Sequence, residues 1–423
     1  MTVYLPGGRA ITLDAPLGGG AEGKIFRLAE TPDLCAKIYL DPARYTNERL
    51  VAMMAAAPSR WRGDHAEHMH LAWPREVLED RDGQTRGFLM PLVEGSPLTH
   101  LFDPRKRLAA VDKPTWRVVV TVAARVARLL AMLHDAGVVM GDLSPTNLVL
   151  SRTGHVTLVD CDTVQFTDAK TGEVHRCTKL TPEYAAPELS SGQATELRPS
   201  QDDFGLAILV CQLLMEGEHP FEGIPADAAA PDGTAADNIR LQNNRILFPE
   251  RFTALADGMP LNVLPPRVLE LARACFGEGH RDPAARPTAS DWAAALDQVG
   301  FQLMGCRHNE NHTYHHSLGS CLWCARREAG HGDHFPAFGV PDVVIPFPVP
   351  ARAGAERAAA WPRPPVAPTP QGQPQPMYPS PSAEPVPPAK KEAELPAWAA
   401  TVAGIVAVVV VLVIISAIVG ALL

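Results

Sequence analysis

The sequence predicts an α+β fold. Strand-patterned residues around a glycine-rich turn come first, and longer helix-patterned stretches follow. Beyond residue 300 come a Cys/His cluster, a proline-rich stretch and an uncharged apolar end. The 423 residues suit two or three units, and 46% hydrophobic residues support a sizeable core. A net charge of −9 excludes a nucleic-acid binder that relies on phosphate attraction. Cys35, Cys161, Cys177, Cys211 and Cys275 are scattered singly, as reduced thiols are, whereas Cys306, Cys321 and Cys324 cluster. Met1 to Gly8 lacks a basic stretch leading into an apolar run, so no signal peptide is expected.

The first element is a hairpin lid. Gly18, Gly20 and Gly23 form G-x-G-x-x-G, a spacing that lets backbone approach phosphates without Cβ clashes. Alone it also fits a dinucleotide-binding turn, but that needs a long helix next. Here Ile25-Phe26 follows, then a strand-like Leu34 to Tyr39 carrying Lys37. A lid and a strand lysine together hold a triphosphate, the lysine pairing its α and β oxygens. A helix is expected over about 42–57, with Glu48 as the carboxylate that fixes Lys37; a solvated surface Glu is the alternative.

The segment from Lys113 to Asp135 has helical periodicity, and Gly137 suits a left-handed cap. Then comes Asp142-Leu143-Ser144-Pro145-Thr146-Asn147, the spacing of a catalytic loop. Asp142 would accept the proton of an attacking hydroxyl, and Asn147 would coordinate metal. An apolar strand, Val156 to Val159, ends in Asp160, a place for a Mg²⁺ ligand.

These residues resemble the eukaryotic-like protein kinase superfamily over roughly residues 8–298. Later landmarks extend the resemblance: Ala186-Pro187-Glu188, Asp202 opening an apolar helix, His219-Pro220-Phe221 and Arg286 in Asp282 to Thr288. The resemblance implies a bilobal kinase fold, with a mostly antiparallel small lobe over 8–93 and a mostly helical large lobe over 94–298. It also implies an ion pair between Glu188 and Arg286. It makes Met90 to Glu94, with Met90, Leu92 and Glu94, the gatekeeper and hinge beside adenine. The implied activity is ATP- and Mg²⁺-dependent phosphorylation of protein serine or threonine hydroxyls, with Asp142 as base, Lys37 as phosphate anchor, and Asn147 and Asp160 as metal ligands.

Three departures from the family pattern matter. Met140-Gly141 replaces the usual His-Arg, so activity is expected not to depend on phosphorylation of Thr163, Thr167, Thr171, Thr178 or Thr181. Ser144 stands where these kinases place a lysine that steadies the transferred phosphoryl group. Cys161-Asp162 replaces Phe-Gly, removing a glycine that lets that peptide flip. An ATP-binding pseudokinase scaffold is therefore the alternative, and small-molecule phosphotransferases of related fold are a third reading. The same variants resemble a bacterial branch of membrane-anchored kinase-like proteins. That resemblance implies two partners, a metal-dependent protein phosphatase and a von Willebrand factor A-type protein.

Cys306, His312, Cys321 and Cys324 have ligand spacing for tetrahedral Zn²⁺ in a knuckle over 302–330, with a structural role. His308, His315 and His316 compete for the histidine position. A solvated His-rich loop with free thiols is the alternative.

Of the 41 prolines, 18 fall between Pro336 and Pro396, so 335–396 is expected to be a disordered, semi-rigid linker. Residues 397–423 carry no charge and suit one transmembrane helix, with Trp398 interfacial and Lys390 and Lys391 on the entry side. That arrangement makes a C-terminal tail anchor in the cell membrane with the preceding lobes cytoplasmic.

Overall fold

A computed structural model describes residues 1–337, apart from 21, 43–45, 57–69, 178, 191, 193–196, 230–232 and 256. The expected linker beyond residue 337 and the expected membrane helix lie outside the described residues. Among the described residues, no helix is long and apolar enough to cross a membrane.

The small lobe is a closed antiparallel barrel. Its strands are β1 (Thr2–Tyr4), β2 (Ala10–Gly19), β3 (Gly23–Leu28), β4 (Leu34–Tyr39), β5 (Glu76–Glu79) and β6 (Thr85–Pro91), in the order β1-β2-β3-β4-β6-β5. Tyr4 pairing with Glu79 closes the ring. Alternate residues point inward, so Val3, Leu5, Leu13, Leu28, Ala36, Ile38, Leu78 and Leu89 fill the interior. The lobe therefore begins at Thr2, ahead of the expected residue 8, because Val3 and Leu5 seal that interior. Outside the barrel lies helix α1 (Asn47–Ala56), shorter than the expected 42–57. Its Leu50 packs with Cys35, Tyr39, Val77, Phe88 and Met90.

The large lobe is mostly helical. Asp103 caps α2 (Pro104–Ala110), and Thr115 caps α3 (Trp116–Asp135), each by accepting backbone N–H groups. Gly137, at φ +73°, ends α3 as expected. Strands β7 (Ser96–Pro97), β8 (Leu148–Leu150) and β9 (Val156–Leu158) form a small sheet that carries the 142–147 loop. A second ribbon pairs β10 (Phe166–Thr167) with β11 (Val174–His175). Helix α4 (Pro187–Ser190) precedes α5 (Pro199–Leu214), which is apolar on nearly every face and is buried from Gln201 to Leu214, as a central helix must be. Helices α6 (Ala235–Arg240), α7 (Pro266–Phe276), α8 (Glu278–Arg281) and α9 (Ala289–Phe301) follow, α7 packing on α5. Arg286 donates to both oxygens of Glu188, at 2.8 and 2.7 Å, forming the ion pair that the resemblance implied.

The Cys/His segment is continuous with this lobe. Strands β12 (Leu303–Gly305) and β13 (Thr313–His315) pair, and α10 (Leu322–Glu328) follows. Trp323 lies 6.2 Å from Trp116 at the start of α3, ring centre to ring centre. Arg326 donates to the carbonyls of Gly258 and Asp257. The packing continues past the expected end at residue 330: Phe335 is wholly buried, and the Arg107 guanidinium sits 4.4 Å from its ring centre. The ordered body therefore runs a few residues into the stretch expected to be linker, because Phe335 has an apolar pocket to fill.

Candidate active site

The glycine lid is the turn between β2 and β3. Gly18 pairs with Ile25, and the Gly20 N–H donates to the Gly23 carbonyl. At Gly23 a Cβ would come within 2.7 Å of the Ile38 carbonyl oxygen, so the close approach of β4 requires glycine there. A Cβ at Gly20 would meet nothing within 4 Å.

Lys37 sits on β4 between Ile25 and Phe88, and its side chain is almost fully buried. Its Nζ lies 2.7 Å from Asp162 Oδ1, 3.2 Å from Asp160 Oδ1 and 3.7 Å from Glu22 Oε2. Burial alone would lower the Lys37 ammonium, but Asp162 and Asp160 outweigh it and hold the group above its usual value. Asp162 is buried too, and Tyr39 donates its hydroxyl to Oδ2 at 3.2 Å. Burial pushes the Asp162 carboxyl upward, and Lys37 opposes that push.

The expectation for Glu48 is corrected. It lies exposed on α1, and the carboxylates around Lys37 are Asp162, Asp160 and Glu22. Helical phase is the reason. Leu50 and Met53 turn the helix inward, and Arg49, about 100° round from Glu48, is the neighbour that faces the cleft. Arg49 donates to the carbonyls of Asp162 at 3.0 Å and Val164 at 2.7 Å. The helix therefore grips the loop after β9 by cation-to-carbonyl hydrogen bonds.

The segment leading into the 142–147 loop hangs from α5. Asp202 accepts the N–H groups of Met140 at 2.7 Å and Gly141 at 2.8 Å, and also contacts His134. Burial would lower the His134 imidazolium, but Asp202 outweighs it and raises the group. Gly141 has φ +75°, and a Cβ there would strike Leu197 and Cys177. Asp142 Oδ1 accepts a hydrogen bond from Thr181 Oγ1 at 2.6 Å. Asn147 Nδ2 donates to the Asp142 carbonyl, which leaves its side-chain oxygen for a cation. Asp160, with a half-exposed side chain, holds φ 56°, ψ 38°, a strained conformation for a side chain larger than glycine. Ser144 is buried, and its Oγ lies 2.8 Å from Thr146 Oγ1.

Among the expected hinge residues, Met90 packs beneath α1, and Glu94 is exposed. The Leu92 N–H donates to the Asp33 carbonyl at 2.9 Å, so β-type pairing takes that one hinge donor.

Cys306, His312, Cys321 and Cys324 converge, their ligand atoms all within 4.8 Å of one another. Sγ of Cys306 and of Cys324 are 3.5 Å apart, and His312 Nδ1 lies 3.5 Å from Cys324 Sγ and 3.6 Å from Cys321 Sγ. A tetrahedral ion with bonds of about 2.0–2.3 Å requires edges of about 3.5–3.8 Å. His312 is fully buried, and its Nε2 is 2.8 Å from Asp333 Oδ1, which turns Nδ1 toward the thiols. Of the competing histidines, His315 is held by Ser317 and Gln302, and His308 Nδ1 is 4.0 Å from Cys306 Sγ.

Sequence reasoning missed Asp162, Glu22, Lys179 and Asp333. The Lys179 Nζ lies 2.8 Å from Glu22 Oε1. Asp162 had a signal, a second acid two positions after Asp160.

A barrel lobe with a glycine lid and buried lysine, set against a helical lobe with an Asp/Asn loop, is the two-lobed arrangement of a protein-kinase-like fold. The family model of the protein kinase domain matches residues 59–295, more than half of the chain, and the chain belongs to that family. Protein kinase YegI of Escherichia coli (strain K12) is 31% identical over 341 residues, covering 78% of this chain and 50% of that protein. Serine/threonine-protein kinase PkaB of Streptomyces coelicolor is 30% identical over 310 residues, covering 70% and 65%. The chain thus spans about half the length of YegI. The structure of the ROP18 kinase domain in complex with AMP-PNP and sucrose covers 70% of this chain at 19% identity and a TM-score of 0.47.

Proposed function

We propose that the chain is an ATP- and Mg²⁺-dependent protein kinase acting on serine and threonine hydroxyls. The observation that carries this reading is the 2.6 Å contact between the Thr181 hydroxyl and Asp142 Oδ1. It supports a carboxylate placed to hold, orient and deprotonate a hydroxyl. In the reaction, that hydroxyl oxygen bonds to the γ phosphorus and the bond to the β–γ bridging oxygen breaks. The proton passes to Asp142, and ADP leaves. Lys37 orients the α and β phosphates beneath the lid of Gly18, Gly20 and Gly23. Asn147 and Asp160 offer hard oxygen donors that fit Mg²⁺, which would neutralise charge on the β and γ phosphates. Phosphoamino-acid analysis of protein labelled from ATP tests the residue class. Phosphotyrosine alone would refute it.

A second reading, a scaffold that binds ATP without transfer, is favoured by Ser144. The hydroxyl there is held by Thr146, and residues 142–147 contain no lysine or arginine.

The Cys306–His312–Cys321–Cys324 cluster is proposed as a structural Zn²⁺ site. Its edge lengths and the Asp333 support of His312 argue for it. One zinc per chain by elemental analysis is the expected result, and none would remove the site. Residues 397–423 are proposed as a membrane helix beyond a proline-rich linker, holding the kinase lobes on the cytoplasmic side. A metal-dependent phosphatase and a von Willebrand factor A-type protein are proposed partners on family resemblance. Membrane fractionation with and without 397–423 tests the anchor, and recovery of the full chain in the soluble fraction would refute it.

A further inference from the structure

The catalytic loop brings no cation to the group being transferred. Residues 142–147 are Asp, Leu, Ser, Pro, Thr and Asn. A γ-phosphoryl group in transfer spreads negative charge over three oxygens, and preformed positive charge at that place lowers the barrier. Lys37 is one positive group in the cleft, deep on β4. A second is Lys179, which lies two residues before Thr181, the residue whose hydroxyl rests on Asp142.

The glycine lid joins these lysines. Glu22, at the tip between Gly20 and Gly23, places Oε1 2.8 Å from Lys179 Nζ and Oε2 3.7 Å from Lys37 Nζ. One carboxylate thus bridges two ammonium groups under a lid whose glycines suit phosphate. A carboxylate so placed has the charge and oxygen spacing of part of a phosphate chain. Lys37 also keeps Asp160 and Asp162, so it stays fixed if Glu22 leaves. Lys179 is about one-third exposed and has long side-chain freedom, so it can follow the anion.

We propose that Lys179 is a catalytic residue that neutralises the γ-phosphoryl group in transfer, and that Glu22 holds its place until ATP displaces the carboxylate. The proposal rests on the phosphotransfer reading above. In the step itself, the substrate oxygen bonds to the γ phosphorus, the bridging P–O bond breaks, and the hydroxyl proton goes to Asp142. Lys179 remains protonated throughout, and its charge moves from Glu22 to the γ oxygens.

ADP lacks the γ-phosphoryl group, so the ratio of ATP to ADP affinity reads the contact directly. The test uses the purified full chain with ATP and ADP, each with Mg²⁺, in binding titrations, alongside single-turnover transfer. Lys179→Met is expected to weaken ATP about five-fold or more while changing ADP less than two-fold. It should slow transfer by about ten- to a hundred-fold. Lys179→Arg should restore most of both. Glu22→Gln should tighten both nucleotides by about two- to five-fold, the range of a partly exposed ion pair. If Lys179→Met does not fold, Lys179→Gln is read in its place. An unchanged ATP-to-ADP ratio in a variant that still folds would overturn the role of Lys179. Weaker nucleotide binding in Glu22→Gln would overturn the role of Glu22. Wild-type chain that binds neither nucleotide would overturn the underlying reading instead, so the two failures separate.

Discussion

Replacing Asp162 by Asn isolates the buried charge that positions Lys37. The substitution keeps size and one acceptor oxygen but removes the negative charge 2.7 Å from Nζ. Removing one partner of a buried ion pair costs about 3–5 kcal/mol when the other charge is left uncompensated. Here Asp160 at 3.2 Å still faces the ammonium, so the loss falls toward the ~2–3 kcal/mol of a single charged hydrogen bond. At 1.36 kcal/mol per factor of ten, that is about 30- to 150-fold in kcat/KM for ATP. Glu48→Gln, on the exposed face of α1, should stay within about 0.5 kcal/mol of wild type, near two-fold. The assay is initial-rate phosphorylation at varied ATP, with thermal melts to confirm folding. A Glu48→Gln loss equal to or larger than that of Asp162→Asn would refute the assignment of Asp162 and restore the helix carboxylate.

Glu216 tests the acid limb of stability. Burial alone would raise its carboxyl, but Arg107, 2.8 Å away, and His334 outweigh it and hold it down to about 2. A depressed acid stabilises the fold above its ordinary value of 4.5 and loses that contribution as pH falls toward 2. Wild type should therefore lose about 3 kcal/mol across that window by denaturant titration, and Glu216→Gln should show a flatter limb; parallel curves would contradict this. Arg286→Ala leaves Glu188 without the guanidinium that holds both its oxygens, and should cost about 3 kcal/mol or more in urea. A strong zinc chelator should lower the melting temperature by about 5 °C or more, and Asp333→Ala should weaken zinc retention by about ten- to a hundred-fold; an unshifted melt after metal loss would contradict a structural role. Alanine at Thr163, Thr167 or Thr171 should leave activity within about two-fold, because the Met140 and Gly141 N–H groups anchor the loop on Asp202 instead of on a phosphate-organised arginine; a loss rescued by Glu would contradict this.

Most of the machinery was legible because it is local in sequence. Asp142 and Asn147 sit five residues apart on one loop, and Lys37 follows the glycine lid by one hairpin. The Cys321–Cys324 turn made the Cys/His cluster legible in the same way, with Cys306 and His312 upstream. Glu48 was misjudged because a helix was expected to begin near residue 42, and its phase could not be read. The burial of Leu50 and Met53 turns Arg49 toward the cleft. Asp162 was read only as a lost glycine, although the same position gains a carboxylate. That gain shows its worth only when β4 brings Lys37 across 125 residues of sequence. Asp333, Glu22 and Lys179 were illegible for the same reason: each acts on a residue that folding alone brings near.

Every assignment in the cleft converges on phosphoryl transfer with Asp142 as base. The most direct measurement incubates purified full chain with Mg²⁺ and γ-labelled ATP, beside Asp142→Asn, while nucleotide binding is followed by thermal shift. The expected result is label on protein with the wild type, label lower by at least about a hundred-fold with Asp142→Asn, and ATP binding by both. Wild type that binds ATP yet transfers no label would contradict it and leave the scaffold reading in its place.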